Sequence, residues 1–118
     1  MIKKTGISIL VIVLIALIFL FIVSPGTTSP INDSNGNRLP NSIAVIEKPI
    51  IGGVPQGMII RGENIKNPVL LYVHGGPGAP SFPIVKNELR KLEKIFTICY
   101  WEQRGAGMSY SGNIPEPQ

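Results

Sequence analysis

The stretch 68–78, with the sequence PVLLYVHGGPG, limits the possible folds of this chain more than any other. Residues 69–73 form an unbroken apolar run that is too short for an isolated helix and rich in β-forming residues, which predicts a strand buried on both faces of a parallel sheet. The run leads directly into the loop residues His74, Gly75, Gly76, Pro77 and Gly78. The glycines leave their amide N–H groups sterically open, and the proline fixes φ at one position. A rigid loop of open amides is suited to stabilise negative charge that develops on an oxygen atom.

The N-terminal segment is strongly apolar. Residues 7–23 contain one polar residue, Ser8, and they follow Lys3 and Lys4. Because about 20 apolar residues span a bilayer, with a lower limit near ~17, the segment predicts an uncleaved transmembrane helix that contacts membrane lipid. The two lysines place the N-terminus in the cytoplasm and the following residues outside the cell. A cleaved signal peptide, which would leave a secreted protein, is the alternative, although its apolar core would be shorter.

Composition argues against several classes of function. The formal net charge of +4 includes the two N-terminal lysines, so the rest is mildly basic and binding to nucleic acid is not indicated. The single Cys99 cannot form an internal disulfide. Residues 24–42 are rich in Pro, Gly, Ser, Thr and Asn and predict a flexible linker. Within it, residues 33–37 lack the spacing and the terminal Glu of a calcium loop, so they predict a turn. Neither a metal nor a cofactor is expected.

Two β-like runs follow the linker. The runs 43–51 and 54–61 are joined by Gly52-Gly53, which is a hairpin signal because both central residues of such a turn need positive φ. Pro49 and Pro55 remove donors from the strand ladder, so we expect these strands near the edge of a sheet.

A helix and another strand follow the glycine loop. Residues 81–94 carry apolar side chains at helical spacing, and charged residues that include Glu88 and Glu93 are predicted to form the solvated face. Residues 95–101 form a second apolar run. With the strand 69–73, these elements predict a right-handed crossover between parallel neighbours.

Two motifs, 74–78 (HGGPG) and 102–109 (EQRGAGMS), each follow a predicted strand and are separated by one helix. Residues 43–111 thereby resemble the opening of the α/β-hydrolase fold, specifically the proline iminopeptidase-like serine hydrolases. The resemblance implies an α/β fold class: the N-terminal part of an α/β-hydrolase sheet, with a β-hairpin and then a βαβ unit, preceded by a transmembrane helix. The domains expected are a membrane anchor at 1–23, a flexible linker at 24–42 and a truncated α/β-hydrolase domain at 43–118.

The resemblance also implies roles for the residues of both motifs. In this family the first motif supplies one amide of the oxyanion hole. That donor is assigned to Gly76, with Gly75 as the alternative, since Pro77 has no N–H. His74 is implied to shape the loop rather than to act as the catalytic base. The second motif is implied to brace the two loops through ion pairing and hydrogen bonds to carbonyls; its bracing residues are Glu102, Gln103, Arg104 and Gly105.

The family's nucleophile and base are missing from this chain. The nucleophile should lie in a G-x-S-x-G turn, but residues 107–111 (GMSYS) end in serine where glycine is required. No histidine follows Ser109, so no general base is available to this serine. We therefore interpret Ser109 as an incomplete match to the nucleophile motif and not as the nucleophile. The sequence also departs from the family pattern at Glu102, where Asp is common, and at Met108, where a cation is common. Amino-terminal peptide substrates are therefore not implied.

These features predict the N-terminal fragment of a membrane-anchored hydrolase that is inactive alone. Because one helix cannot cover both faces of a parallel sheet, the strand 69–73 of such a fragment is expected to have an open edge and an exposed second face. The complete protein would cleave an amide or ester bond of a small-molecule or peptide substrate by acyl transfer. The alternative is a small, non-catalytic, membrane-anchored binding protein. A third reading, an Asp nucleophile as in epoxide hydrolases or dehalogenases, is disfavoured by the two motifs.

Overall fold

The computed structural model describes residues 2–23, 26–76 and 78–112. An N-terminal helix, α1, spans Ile2–Val23. The side chains described in this helix, those of residues 6–20, are all exposed.

The predicted transmembrane helix is not supported by the structure. In the part of the chain that the structure describes, no helix is both long and apolar enough to cross a membrane. The prediction of a transmembrane helix, and of the single-pass membrane localisation that depended on it, is therefore corrected.

The strands form a mixed sheet and a small separate ribbon. The strands are β1 (Ile43–Glu47), β2 (Ile50–Ile51), β3 (Val54–Pro55), β4 (Met58–Gly62), β5 (Val69–Val73) and β6 (Thr97–Trp101). The four-stranded sheet has the order β1-β4-β6-β5, and β2 pairs with β3 in the ribbon. In the sheet, β4 is antiparallel to both β1 and β6, whereas β5 and β6 are parallel.

The predicted hairpin is present but is divided into two parts. Its tip is the β2–β3 ribbon, which turns at Gly52 and Gly53 with φ of 58° and 78°. Its base is the pairing of β1 with β4, in which Ile43 lies opposite Gly62 and Glu47 opposite Met58. The strand β1 lies at the edge of the sheet, as the two prolines of this region predicted, whereas β4 pairs with β1 on one side and β6 on the other.

The predicted strand–helix–strand crossover is also present. Helix α2 spans Phe82–Leu89 and continues as a 3-10 helix over Arg90–Lys94, so the regular helix is shorter than predicted. The chain then enters β6 at Thr97 and pairs with β5 in parallel, with Val69 opposite Thr97 and Val73 opposite Trp101.

The core lies on the face of the sheet that α2 covers. Ile59, Ile98 and Tyr100 are buried there, and the ring of Phe82 packs edge-on against Tyr100 with the ring centroids 4.9 Å apart. Apolar burial of this kind contributes roughly 25 cal/mol per Å² of area removed from water.

The other face of β5 is open. The side chains of Val69, Leu71 and Val73 are 70%, 53% and 50% exposed. An apolar run of this kind is typical of a strand buried on both faces of a complete parallel sheet. In this chain β5 is an edge strand and one helix covers one side, so the prediction that its edge and its second face are open is confirmed. For the residues that the structure describes, the fold class is corrected to a mixed four-stranded sheet with two α-helices, without the predicted transmembrane helix.

A buried ion pair joins β4 to the 3-10 helix. The Nε of Arg61 lies 2.9 Å from Oε1 of Glu93, and the two side chains are 11% and 3% exposed. The prediction that Glu93 lies on a solvated helix face was wrong, because the chain tightens into a 3-10 helix and turns this carboxylate toward the sheet.

The segment that precedes β1 contacts the sheet. Arg61 donates to Thr28 Oγ1 at 2.5 Å and to the carbonyl of Ser29 at 2.6 Å, and Ile31 is buried. The carboxylate of Asp33 accepts the amides of residues 35 and 37, which gives the predicted turn. The domain division at 1–23, 24–42 and 43–118 stays a prediction.

Candidate functional site

Two loops meet at one edge of the sheet. His74 directly follows β5, and the segment 102–109 directly follows β6. Because parallel neighbours end at the same edge, the loops that follow them lie side by side. Gln103 joins them with two hydrogen bonds: its backbone N–H donates to His74 Nε2 at 3.2 Å, and its side-chain amide donates to the His74 carbonyl at 2.6 Å.

The imidazole of His74 is buried and its acceptor nitrogen is occupied. The residue is 5% exposed. Because Nε2 accepts a backbone N–H, the proton of the neutral ring is assigned to Nδ1. Among the described residues, Nδ1 has no hydrogen-bond partner. A general base needs an available lone pair, and the lone pair of Nε2 already accepts the Gln103 N–H. The loop-shaping role of His74 stays a prediction.

The glycines after His74 are open to solvent. Gly75 and Gly76 are exposed, and within the described residues neither amide donates a backbone hydrogen bond. The carbonyl and N–H of one trans peptide point in opposite directions, so the bond from Gln103 to the His74 carbonyl directs the Gly75 N–H away from Gln103. Gly78 has φ of 73°, a conformation that favours glycine. Pro77 lies outside the described residues.

The carboxylate of Glu102 closes its own loop. The residue is 6% exposed, and its Oε2 accepts the N–H of Met108 at 2.5 Å. A side chain at Gly107 would overlap this oxygen, and Gly107 has φ of 45°. Glu102 therefore holds the 102–109 loop through a backbone amide and does not pair with Arg104.

Arg104 and Gly105 make separate contacts. The guanidinium of Arg104 donates to the carbonyl of Gly52 in the β2–β3 turn at 3.4 Å. The amide of Gly105 donates to the carbonyl of Ser109 at 3.3 Å, within the loop. Of the predicted bracing residues, Gln103 is thus the one whose contacts join the two loops; the functional roles assigned to all these residues stay predictions.

Ser109 is a buried structural hydroxyl. It is 4% exposed, its Oγ accepts the N–H of Gly57 at 2.6 Å, and it donates to the carbonyl of Glu102. Both partners are backbone groups, and the contact ties the end of the hairpin to the 102–109 loop.

Sequence reasoning missed Gly57, which completes this part of the structure. A Cβ at this position would lie 2.7 Å from the Cβ of Met108, so the two backbones could not approach. A glycine inside a strand-like run is a signal of close approach, and it could have indicated this position.

Comparisons with known proteins give one informative result. No protein-family model matches the chain, and no solved structure gives a significant match. The chain is 45% identical over 73 residues, 62% of its length, to a protein of Bacillus subtilis strain 168 named probable aminopeptidase YbaC. The match covers 23% of that relative, so the chain spans about a quarter of the relative's length. The similarity suggests a hydrolase of the peptidase type.

Proposed function

We propose that residues 43–112 form the oxyanion-stabilising part of a serine hydrolase of the α/β-hydrolase fold, similar to proline iminopeptidases, that cleaves an amide or ester bond by acyl transfer. The observation that carries the proposal is the pair of hydrogen bonds between Gln103 and His74, which holds a loop of open amides beside the end of a parallel strand. The similarity to a probable aminopeptidase supports a peptidase-type reaction.

In this proposal the chain stabilises charge and does not generate the nucleophile. When a nucleophile attacks a carbonyl, the carbonyl oxygen becomes an oxyanion that preorganised N–H groups stabilise. The amide of Gly76, or of Gly75 as the alternative, donates to that oxygen. The hydrogen bond from Gln103 to the His74 carbonyl holds the His74–Gly75 peptide, which carries the Gly75 N–H and directly precedes the Gly76 N–H. The start of the loop is thus oriented before the reaction.

The nucleophile and the base lie outside the described residues. The hydroxyl of Ser109 forms hydrogen bonds with two backbone groups, and the Nε2 lone pair of His74 accepts the backbone N–H of Gln103. A fluorophosphonate probe should therefore leave the 118-residue chain unlabelled. Covalent labelling of Ser109 would contradict this division of roles.

A graft tests the proposed reaction. Residues 43–112 replace the corresponding segment of the B. subtilis relative, and hydrolysis of aminoacyl p-nitroanilides by the graft is compared with that by the unmodified relative. We expect activity to be retained. The Gln103→Ala substitution in the graft should lower kcat by about tenfold to a hundredfold with little change in KM, since loss of an oxyanion donor itself costs about 10²–10³.

The control is Asn67→Ala. Asn67 also donates a side-chain amide to a backbone carbonyl, that of Lys94 at 3.0 Å, but it lies at the opposite end of β5. The Asn67→Ala substitution should leave the kcat of the graft unchanged. A folded graft in which Gln103→Ala changes KM alone, or changes nothing, would overturn the proposal.

A second candidate function is a non-catalytic binding protein. The observation that favours it is the open face of β5, where Val69, Leu71 and Val73 are at least half exposed at a sheet edge. An inactive graft, together with saturable binding of an extended peptide that the Leu71→Lys substitution abolishes, would favour this alternative.

A further inference from the structure

A cavity of about 380 Å³ lies apart from the candidate site. It is bounded by segment 27–30 on one side and by α2 and the 3-10 helix on the other, and its lining includes no residue of the loops 74–78 and 102–109. Small-molecule sites have volumes of roughly 300–1,000 Å³, so this cavity has the size of a site for a small ligand.

The lining of this cavity is positively charged. It contains three cationic side chains, Arg61, Lys86 and Arg90, and one carboxylate, Glu93, for a formal net charge of +2. Arg61 and Glu93 pair with each other at 2.9 Å and 3.4 Å, so their charges are balanced. Within the described residues, neither Lys86 nor Arg90 forms a salt bridge. The excess positive charge is therefore carried by these two side chains.

Donor groups line both walls of the cavity. Lys86 and Arg90 are four residues apart, which places them on one side of the helical segment. On the other wall, Thr28 Oγ1 accepts a hydrogen bond from Arg61 and keeps its own hydroxyl hydrogen for another acceptor. The guanidinium of Arg90 can donate two parallel hydrogen bonds to a carboxylate or phosphate group.

We propose that this cavity binds the carboxylate or phosphate group of a small organic molecule, held between Lys86 and Arg90 on one wall and Thr28 on the other. The ring of Phe82 lines the same cavity and contacts the apolar part of the ligand. The bound anion joins segment 27–30 to α2 and stabilises the folded chain by mass action. This site is independent of the proposed hydrolase reaction.

Calorimetric titration of the full chain tests the proposal. Inorganic phosphate and citrate are the two probes, and sodium chloride keeps the ionic strength constant because surface electrostatics are screened by salt. We expect saturable binding at one site. Binding of phosphate assigns the site to phosphate groups, and binding of citrate alone assigns it to carboxylates. Absence of saturable binding of both probes overturns the proposal.

A pair of double variants separates a specific site from general attraction of anions. Lys86→Ala with Arg90→Ala should weaken binding at least about tenfold, since charge-assisted hydrogen bonds are the strong ones. Lys91→Ala with Lys94→Ala removes the same charge from exposed neighbours outside the cavity and should weaken it less than about threefold. Equal losses in the two variants would overturn the proposal.

A third variant tests whether a loss of affinity comes from the lost charge or from a change in folding. Lys86 and Arg90 are exposed, so their substitution should leave the unfolding midpoint unchanged. The single change Arg90→Gln removes the charge but keeps a polar side chain, and it should give an intermediate loss of affinity. If Arg90→Gln binds as tightly as the unmodified chain, the assignment of Arg90 is wrong and the proposed site fails.

Discussion

Replacing Ser109 with alanine tests whether this serine holds the structure together. Its Oγ accepts the N–H of Gly57 at 2.6 Å and donates to the carbonyl of Glu102, at a position that is 4% exposed. Alanine leaves one backbone donor and one backbone acceptor buried without these partners. Each such group costs about 1–3 kcal/mol, so we expect the free energy of unfolding to fall by about 2–6 kcal/mol.

Urea-induced unfolding of the full chain measures this loss. The fluorescence of Trp101, the single tryptophan, reports on the region because its Nε1 donates to Gln56 Oε1 at 2.8 Å, next to Gly57. For a small domain with a urea slope of about 2 kcal/mol/M, a loss of this size lowers the urea midpoint by about 1–3 M. The matched control is Ser81→Ala: Ser81 precedes α2 without a side-chain cap, so it should change stability by less than ~0.5 kcal/mol.

Two results would refute the reasoning about Ser109. An alanine variant as stable as the unmodified chain would mean that the two hydrogen bonds do not hold the loops in solution. Reaction of this serine with a fluorophosphonate would mean that its oxygen is accessible and activated. In either case the interpretation of Ser109 as a structural hydroxyl would be wrong.

The remaining predictions concern the buried polar groups behind the sheet. Glu93→Gln leaves the Arg61 cation without its carboxylate and should lower the free energy of unfolding by about 3 kcal/mol. The double variant Arg61→Met with Glu93→Leu should recover most of that loss. A Glu93→Gln variant as stable as the unmodified chain would contradict this prediction. Burial, and secondarily the Glu93 carboxylate, raises the pKa of Tyr100 to about 12 from 10, so the folded state retains the phenol proton longer than the unfolded state. The contribution of the Tyr100 phenol to the free energy of unfolding is therefore complete below pH 10 and is lost as the pH rises toward 12. Urea midpoints of the unmodified chain and of Tyr100→Phe, measured from pH 8 to 12, should show this loss in the unmodified chain alone. Because the Tyr100 hydroxyl has no hydrogen-bond partner among the described residues, Tyr100→Phe should be at least as stable as the unmodified chain at pH 7, and a loss above ~1 kcal/mol would contradict its unpartnered state.

Elements with local signals could be predicted from the sequence. The turn at Gly52 and Gly53 depends on the positive φ of two adjacent residues, and glycine adopts that conformation without steric cost. The parallel crossover from β5 to β6 follows from two apolar runs separated by a helix of suitable length. The position of His74 at the end of β5, beside the segment that follows β6, then follows from the topology alone.

Burial and long-range pairing were decided by the tertiary structure. The apolar run of β5 alone is typical of burial on both faces, and only the count of helices that cover the sheet indicates that one face stays open, as it does here. Glu93 has the sequence context of a solvated helix residue, and it is buried because it meets Arg61, 32 positions away. The length of the apolar segment 7–23 likewise predicted a membrane span, and the described part of the structure does not support a membrane-spanning helix.

Local patterns therefore predicted the succession of strands and helix along the chain and the two motifs at one sheet edge, because turn geometry and side-chain periodicity depend on near neighbours. Which motif residues meet depends on tertiary packing. Gln103 contacts His74 across 29 positions, and Ser109 contacts Gly57 across 52. Such contacts depend on how the loops pack after the sheet has formed, and no spacing along the chain encodes them.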